Sequence, residues 1–405
     1  MPVTIKTGVG GGSVTLDSGT GVLDTTLTLP NINGTVLYSD ANGTSNIANI
    51  TATTLTVSGN VTGNLTIAGT MTAANINVTG TLVMSSSFKR NRVINGNMLI
   101  DQRNAGASAN AADSTYFLDR WKTYKSGAGT FTIQQSNTAP AGFTKSTLLT
   151  VTASSTPGAG DYYAYLQMIE GYNIADFAWG TASAQSVTVS GQIRSSVTGT
   201  YSVFLINGGT NRSYIDTVTI SAANTFTPFS INVVGDTTGT WATDNSNGLF
   251  LSFDLGSGST RTTSSGSWQA GLYQHATGST NWIANSGATF YITGVQLEVG
   301  TKATPYEMQI YSDQLAQCQR YYTVGTAYYD GYGIAPSGAT GSLNLFPVPM
   351  RTAPTLAFGT FTNLALLQAG GTRSPIYSYQ FMRYANFNVT GSGAAYEQWT
   401  AQAEL

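Results

Sequence analysis

The sequence predicts an all-β protein: an N-terminal hairpin, a short intertwined β shaft, a jelly-roll-like β-sandwich, a short connecting helix and a small distal β domain. Three observations carry that expectation. Apolar residues recur at period two in most segments, the spacing that lines one face of a strand. Glycine is abundant, 46 of 405 residues, and falls between short runs rich in Thr, Val, Ile, Tyr and Phe. Only one segment carries good helix signals.

Residues 1–45 contain an alternating run, Thr25-Thr26-Leu27-Thr28-Leu29-Pro30, and a second, Thr35-Val36-Leu37-Tyr38. Asn33-Gly34 between them favours a tight turn, because both residues tolerate positive φ. One hairpin is marginal alone in water and needs a partner surface.

Residues 46–89 hold an internal repeat of ten or eleven residues. Leu55-x-Val57-x-Gly59-x-Val61 is followed by Leu65-x-Ile67-x-Gly69-x-Met71 and Ile76-x-Val78-x-Gly80-x-Leu82. Each unit offers three apolar side chains to one face, too few to form a core alone, so stacked neighbours are required. Three chains around one axis are the simplest closed solution. Leu55, Val57, Val61, Leu65, Ile67, Met71, Ile76, Val78 and Leu82 are then the shaft core. One sheet of an ordinary sandwich is the alternative.

Residues 90–305 carry strand candidates with turns between them, among them Thr130–Ile133, Leu148–Thr152, Tyr162–Met168, Ser186–Ser190, Tyr201–Leu205, Leu249–Phe253 and Thr289–Thr293. This is a two-sheet pattern. Within 306–322, Ser312 is placed to cap a helix over Asp313–Tyr321, with an acid in its first turn and Arg320 in its last. Leu315, Cys318 and Tyr322 would share its buried face. Residues 323–405 return to strands and have the highest tyrosine density in the chain.

Composition excludes several function classes. Lys+Arg number 17 against Asp+Glu 19, a net charge of −2, which gives no broad basic surface for nucleic acid. One histidine and one cysteine exclude Cys/His zinc clusters and an intrachain disulfide framework. No Asp-rich calcium loop appears, so neither metal nor cofactor is expected. No run approaches a membrane-spanning length, and Met1 to Gly12 lacks the features of a secretion signal. Synthesis in a cytosol, without membrane insertion, follows as the expectation.

Three local patterns resemble tailed-bacteriophage tail fibres and receptor-binding proteins. Asn91-Arg92-Val93-Ile94-Asn95-Gly96-Asn97-Met98-x-Ile100-Asp101-Gln102-Arg103 with Leu118-Asp119-Arg120-Trp121 is similar to the opening of their carbohydrate-binding-module-like jelly rolls. Gly294–Gly300, Thr304–Glu307 and Cys318–Tyr322 resemble that module's closing strand and following helix. Phe346-Pro347-x-Pro349-Met350-Arg351-x-x-Pro354-Thr355 with Ala403-Glu404-Leu405 resembles a distal fibre domain. The resemblance implies a homotrimer made in the host cytoplasm and carried on the virion. It implies attachment to a tail or baseplate protein through the N-terminus, and C-terminal parts that meet a host-surface saccharide such as lipopolysaccharide or another envelope glycan.

A depolymerase needs paired carboxylates, and Asp161, Glu170, Asp176, Asp216, Asp236, Asp244 and Asp254 are separated by long neutral stretches. His275, the only imidazole, has no serine-nucleophile motif beside it. No catalytic residue and no enzyme are expected. The competing readings are a tailspike that degrades surface polysaccharide and a purely structural tail part. Sugar binding asks for aromatic faces beside hydrogen-bonding side chains. Trp241 with Asp244, and Trp282 among Asn residues, fit that need, as do Trp179 and Trp268; core packing is the alternative for each. In the distal domain Tyr328-Tyr329-Asp330-Gly331-Tyr332 alternates aromatics with a turn, which makes Tyr328, Tyr329, Asp330 and Tyr332 the first receptor-contact candidates. Lys89, Arg90, Arg92, Arg103, Arg120, Lys122 and Lys125 crowd together in sequence and are expected to pair with Asp101, Asp113 and Asp119, an anionic-glycan site being the alternative.

Overall fold

The computed structural model describes residues 13–15, 26–28 and 89–405 apart from 374. The chain forms two units, Met1–Leu82 and Val83–Leu405. In the first, β1 (Ser13–Thr15) pairs antiparallel with β2 (Thr26–Thr28), Val14 opposite Leu27. The strand expected around Leu27 is thus present, and its described partner is a segment the sequence reading passed over. The expected partner Thr35–Tyr38 and the shaft positions from Leu55 to Leu82 lie outside the described residues.

The second unit is all-β with one α-helix among its described residues. Its first part runs β3 (Ala109–Asn110), β4 (Trp121–Ser126), β5 (Thr130–Ser136), β6 (Ser146–Ala153), β7 (Tyr162–Glu170), β8 (Val187–Ser195), β9 (Gly199–Asn207), β10 (Arg212–Ile220), β11 (Thr227–Val233), β12 (Asn247–Ser257), β13 (Thr262–Thr263), β14 (Trp268–Ala270), β15 (His275–Ala276) and β16 (Thr289–Val299). Two six-stranded sheets result, in the orders β14-β10-β9-β12-β7-β4 and β11-β8-β16-β6-β5-β3. The core lies between them. From one sheet come Trp121, Tyr163, Tyr165, Val203, Leu205, Leu251 and Phe253; from the other, Phe131, Ile133, Leu149, Val189, Phe229, Ile231, Phe290 and Ile292. In β11 the burial alternates, Phe229, Ile231 and Val233 turned in and Ser230 and Asn232 out, as period two requires for a strand with one wet face.

The central strands of the first sheet do not alternate. Tyr163 to Glu170 in β7 and Gly248 to Ser257 in β12 are buried at every position. Both faces of this sheet are therefore covered. The inner face meets the core, while the outer face carries its own apolar cluster of Ala164, Leu166, Met168, Phe204, Ile206, Ile215 and Phe250.

Helix α1 (Tyr311–Gln319) leads into β17 (Tyr322–Gly333), β18 (Ala339–Leu345), β19 (Thr355–Phe358), β20 (Thr362–Ala365), β21 (Leu367–Arg373), β22 (Gln380–Phe387) and β23 (Gly391–Gln402). One sheet is β17-β23-β19 with β20 also on β23; the other is β18-β22-β21. They close over Tyr329, Phe346, Met350, Leu367, Phe381, Phe387 and Trp399. The helix begins before its expected cap. Ile310 is the N-cap residue and makes no side-chain cap bond, so Ser312 lies inside the first turn. Its buried face is Gln314 and Cys318, four residues apart, while Leu315 is half-buried and Tyr322 already belongs to β17. Gln314 turns inward because its amide donates to Asn97 Oδ1 at 2.8 Å. None of the described helices is long and apolar enough to cross a membrane.

The opening motif serves packing. Asn95 bonds both the N–H and the carbonyl of Ile100, and the Trp121 indole donates to the Asn95 carbonyl at 3.0 Å. The basic cluster chooses other partners than expected. Arg92 pairs with Asp176 at 2.6 Å, and Arg103 and Arg120 both reach Glu404. Asp119 accepts instead from the Gln102 backbone and amide, both at 2.7 Å, and Asp101 from the backbone of Asn104 and Gly106. Asp113 takes the Lys125 backbone N–H rather than its ammonium. Neighbours in sequence lost to residues far away because the loop acids are needed to satisfy backbone donors.

Candidate functional site

The outer face of the first sheet holds a cavity of about 270 Å³. Its floor is set by strand register. Ser252 of β12 stands opposite Leu166 of β7 on one side and Phe204 of β9 on the other. Two residues back along β12, Phe250 stands opposite Met168 and Ile206. Tyr124 of β4 completes this floor, its ring 5.9 Å from that of Phe250. Because successive side chains in a strand alternate between faces, Leu249, Leu251 and Phe253 point into the core while Phe250 and Ser252 point into the cavity.

The walls come from the segment that follows β12. Gly258 passes so close to β7's approach that a Cβ there would lie 1.9 Å from the Gly158 carbonyl oxygen, which restricts that position to glycine. A 3-10 turn (Ser259–Arg261) then places Arg261 at the rim. Its guanidinium carbon lies 5.1 Å from the Tyr162 ring centroid, an attractive cation–π arrangement. The chain returns with Leu272 and Gln274, and the Gln274 N–H donates to the Arg261 carbonyl at 2.9 Å. The parallel pair β13–β15 ties this flap together.

Two polar groups in the lining have no partner among the described residues. Ser252 Oγ and Gln274 Oε1 make no hydrogen bond, although Ser252 is 0 % and Gln274 3 % exposed. Leaving a buried polar atom unpaired costs about 1–3 kcal/mol. The groups are therefore poised to bond whatever enters the cavity. Around them stand the rings of Tyr124, Tyr162, Phe204 and Phe250. The combination of apolar walls and a few unspent hydrogen-bonding groups is that of a small-molecule pocket.

The neighbouring ionisable groups are committed. Asp254, two residues beyond Ser252, accepts from Ser257 Oγ at 2.6 Å and faces His275 Nδ1 at 2.7 Å. Burial raises its pKa, and the histidine contact opposes that rise. Ser257 thus bonds the carboxylate and not the imidazole. Lys122 lies 5.0 Å from the Tyr116 ring and 4.8 Å from that of Tyr124, and burial lowers its pKa. Other carboxylates weighed in the sequence are likewise occupied: Glu170 by Arg320 and the Tyr321 hydroxyl, Asp236 by Arg212. No cluster of three metal-ligating side chains occurs among the described residues.

The tryptophans proposed from sequence are placed elsewhere. Trp282 is 0 % exposed, with Phe131 and Phe290 edge-on at 5.8 and 6.2 Å. It fills the core and presents no face to a ligand. Trp241 is also buried, in an edge-to-face cluster with Trp179 at 4.7 Å and Trp268 at 5.3 Å. Its indole N–H donates to the Thr238 carbonyl. Asp244 is exposed and caps its own loop by accepting from Ser246. The Asn and Gly residues around these rings make the turns that let the rings fold inward, so local polarity was a poor guide. In the distal domain Tyr328 and Tyr332 are 71 % and 72 % exposed and Asp330 is exposed, whereas Tyr329 is buried over Phe361. Burial pushes the Tyr329 hydroxyl up to about 12. Strand alternation along β17 separates the two sets.

Tyr124, Tyr162, Phe204, Phe250, Ser252, Arg261 and Gln274 were not singled out from sequence. A signal for the sheet was nonetheless present. The runs Tyr162–Met168 and Leu249–Phe253 are nearly continuous in apolar residues, which marks strands covered on both faces, and Ser252 interrupts the second.

No family model matches the sequence, and no curated protein matches it. Among solved structures, the enzymatically active domain of bacteriophage CBA120 tailspike protein 4 is similar at 13 % identity and a TM-score of 0.28, over 53 % of this chain and 22 % of that one. The family 11 carbohydrate-binding module from Clostridium thermocellum is similar at 11 % identity and a TM-score of 0.27, over 48 % of this chain and 98 % of the module. The CBM22-1–GH10 modules of a Clostridium thermocellum endo-1,4-β-D-xylanase follow at 12 % and 0.26, over 47 % of this chain and 28 % of that one. The chain spans about a fifth of the length of the tailspike domain it matches.

Proposed function

We propose that the protein is a non-enzymatic saccharide-binding fibre of a phage tail. The cavity on the outer sheet face would receive part of a host-surface glycan. The observation that carries the binding reading is the pair of unpartnered polar atoms, Ser252 Oγ and Gln274 Oε1, set among four aromatic rings. Sugars present both C–H faces and hydroxyl groups, and this lining supplies a match for each. A volume of 270 Å³ is at the lower end of ligand pockets, on the order of one sugar residue. Among the described residues the lining holds no carboxylate, which favours binding over hydrolysis, since the usual glycosidase mechanism needs two. A homotrimer anchored to the virion by its N-terminus is the assembly that the repeat at Leu55–Leu82 and the fibre-like motifs support. Three copies on one axis would raise the apparent affinity of a weak site by about 10²–10⁴.

The test is titration of the full chain with purified host-envelope polysaccharide beside the Ser252→Ala variant. The variant removes an unpaired hydroxyl, so it should fold with unchanged or higher stability while binding falls roughly five- to tenfold. Equal binding by both proteins, or none by either, sinks the cavity reading. Oligosaccharides released during incubation would replace the binding role with a depolymerase. Sedimentation of the full chain as a monomer would remove the trimeric fibre.

A further inference from the structure

We infer that the cavity selects a saccharide bearing an anionic substituent, and that Arg261 is the residue that selects it. The inference rests on the saccharide reading above and narrows its ligand class. Among the described residues, Arg261 is the one charged residue in the lining. Arg103, Arg120, Arg212, Arg320 and Arg383 each reach a carboxylate; Arg261 reaches none among the described residues. Its position is nonetheless built. Its carbonyl accepts the Gln274 N–H, its guanidinium packs against Tyr162, and the turn that precedes it is anchored where Gly258 N–H donates to the Asp161 carbonyl at 2.8 Å.

A guanidinium held against an aromatic ring keeps its N–H fork free for a planar or tetrahedral oxyanion. On the strand face that carries Ser252, the carboxylate of Asp254 is already engaged by His275 and Ser257. It is therefore not available to neutralise Arg261. Beside that fork, Ser252 and Gln274 offer hydrogen bonds to ring hydroxyls. A neutral sugar would leave the cation without a partner, while an acidic one would satisfy all three groups.

The experiment uses the whole 405-residue chain and matched pairs of probes: galactose with galacturonate, glucose with glucuronate, and each hexose with its 6-phosphate. Binding is followed by saturation-transfer NMR and calorimetry at low and high salt, for the native chain, Arg261→Gln and Arg261→Lys. The acidic member of at least one pair should bind about tenfold more tightly than its neutral partner, with an advantage that shrinks as salt rises. Arg261→Gln should remove that advantage, and Arg261→Lys should restore part of it. Preference for uronates over phosphates identifies the anion as a carboxylate, and the reverse identifies a phosphate. Equal affinity within every pair, or a preference that survives Arg261→Gln, overturns this inference alone. Failure of every sugar to bind overturns the saccharide reading as well.

Discussion

Strands β7 and β17 are both long and rich in tyrosine, yet they treat their side chains in opposite ways. Every residue of β7 from Tyr163 onward is buried: a core lies on one side, and on the other Tyr116 and Lys122 reach Met168 while Arg320 and Tyr321 reach Glu170. In β17, Tyr329 is buried while Tyr328 and Tyr332 stand in solvent. The difference shows where a pocket can form. A sheet covered twice encloses space on its outer face, and a polar residue caught there without a partner, as Ser252 is among the described residues, is left to a ligand. A sheet covered once presents a row of rings with no enclosure. Aromatic exposure and enclosure are thus separate properties, and the sandwich has the second.

Substitutions at matched aromatics test that contrast. Trp282→Ala in the sandwich should cost about 3–5 kcal/mol, the usual range for emptying a core indole site, and should lower the melting temperature of the sandwich in calorimetry. A loss below about 1 kcal/mol would mean that the ring is not part of a close-packed core. At the junction of the two regions, Asp119 is raised to about 6, chiefly by burial, with the Gln102 hydrogen bonds opposing. The native state then holds this proton more tightly than the unfolded chain. Its contribution is fully present below the ordinary carboxylate range near pH 4 and is lost as pH rises through about 6. The total is at most about 3 kcal/mol. Denaturant titrations at several pH values should show Asp119→Asn flattening that slope; an unaltered slope would assign it to other groups. The smallest effect belongs to Tyr328→Ala, which should change stability by no more than about 0.5 kcal/mol. A larger loss would show that the contact with Tyr396, 6.3 Å between ring centres, is worth more than its exposure suggests.

The all-β architecture was legible because period-two alternation and glycine turns are local signals, which β11 obeys throughout and β17 obeys from Ala327 to Tyr332. Helix α1 was legible in existence but not in its first turn. Gln314, a polar residue, occupies the buried face because Asn97, 217 positions away in the chain, receives its amide. The cavity was harder to find for the same reason. Phe250 and Ser252 share a face of β12, but Tyr124, Leu166 and Phe204 join them only after β12 is inserted between β7 and β9, a non-local arrangement that spacing does not encode. Trp282 and Trp241 misled because turn-forming neighbours accompany an inward-folding ring as readily as an exposed one.

The junction between the two sandwiches is made of charges hidden from water. Arg120 and Glu404 are 1 % and 3 % exposed, and Arg103, which also reaches Glu404, is 10 % exposed with its guanidinium 3.8 Å from the Tyr322 ring centroid. Mobile ions screen exposed pairs such as Arg92–Asp176 but have little access to buried ones. Brackish or saline surroundings therefore screen the two arginines and their shared carboxylate little, so this contact between the halves of the unit is nearly independent of ionic strength.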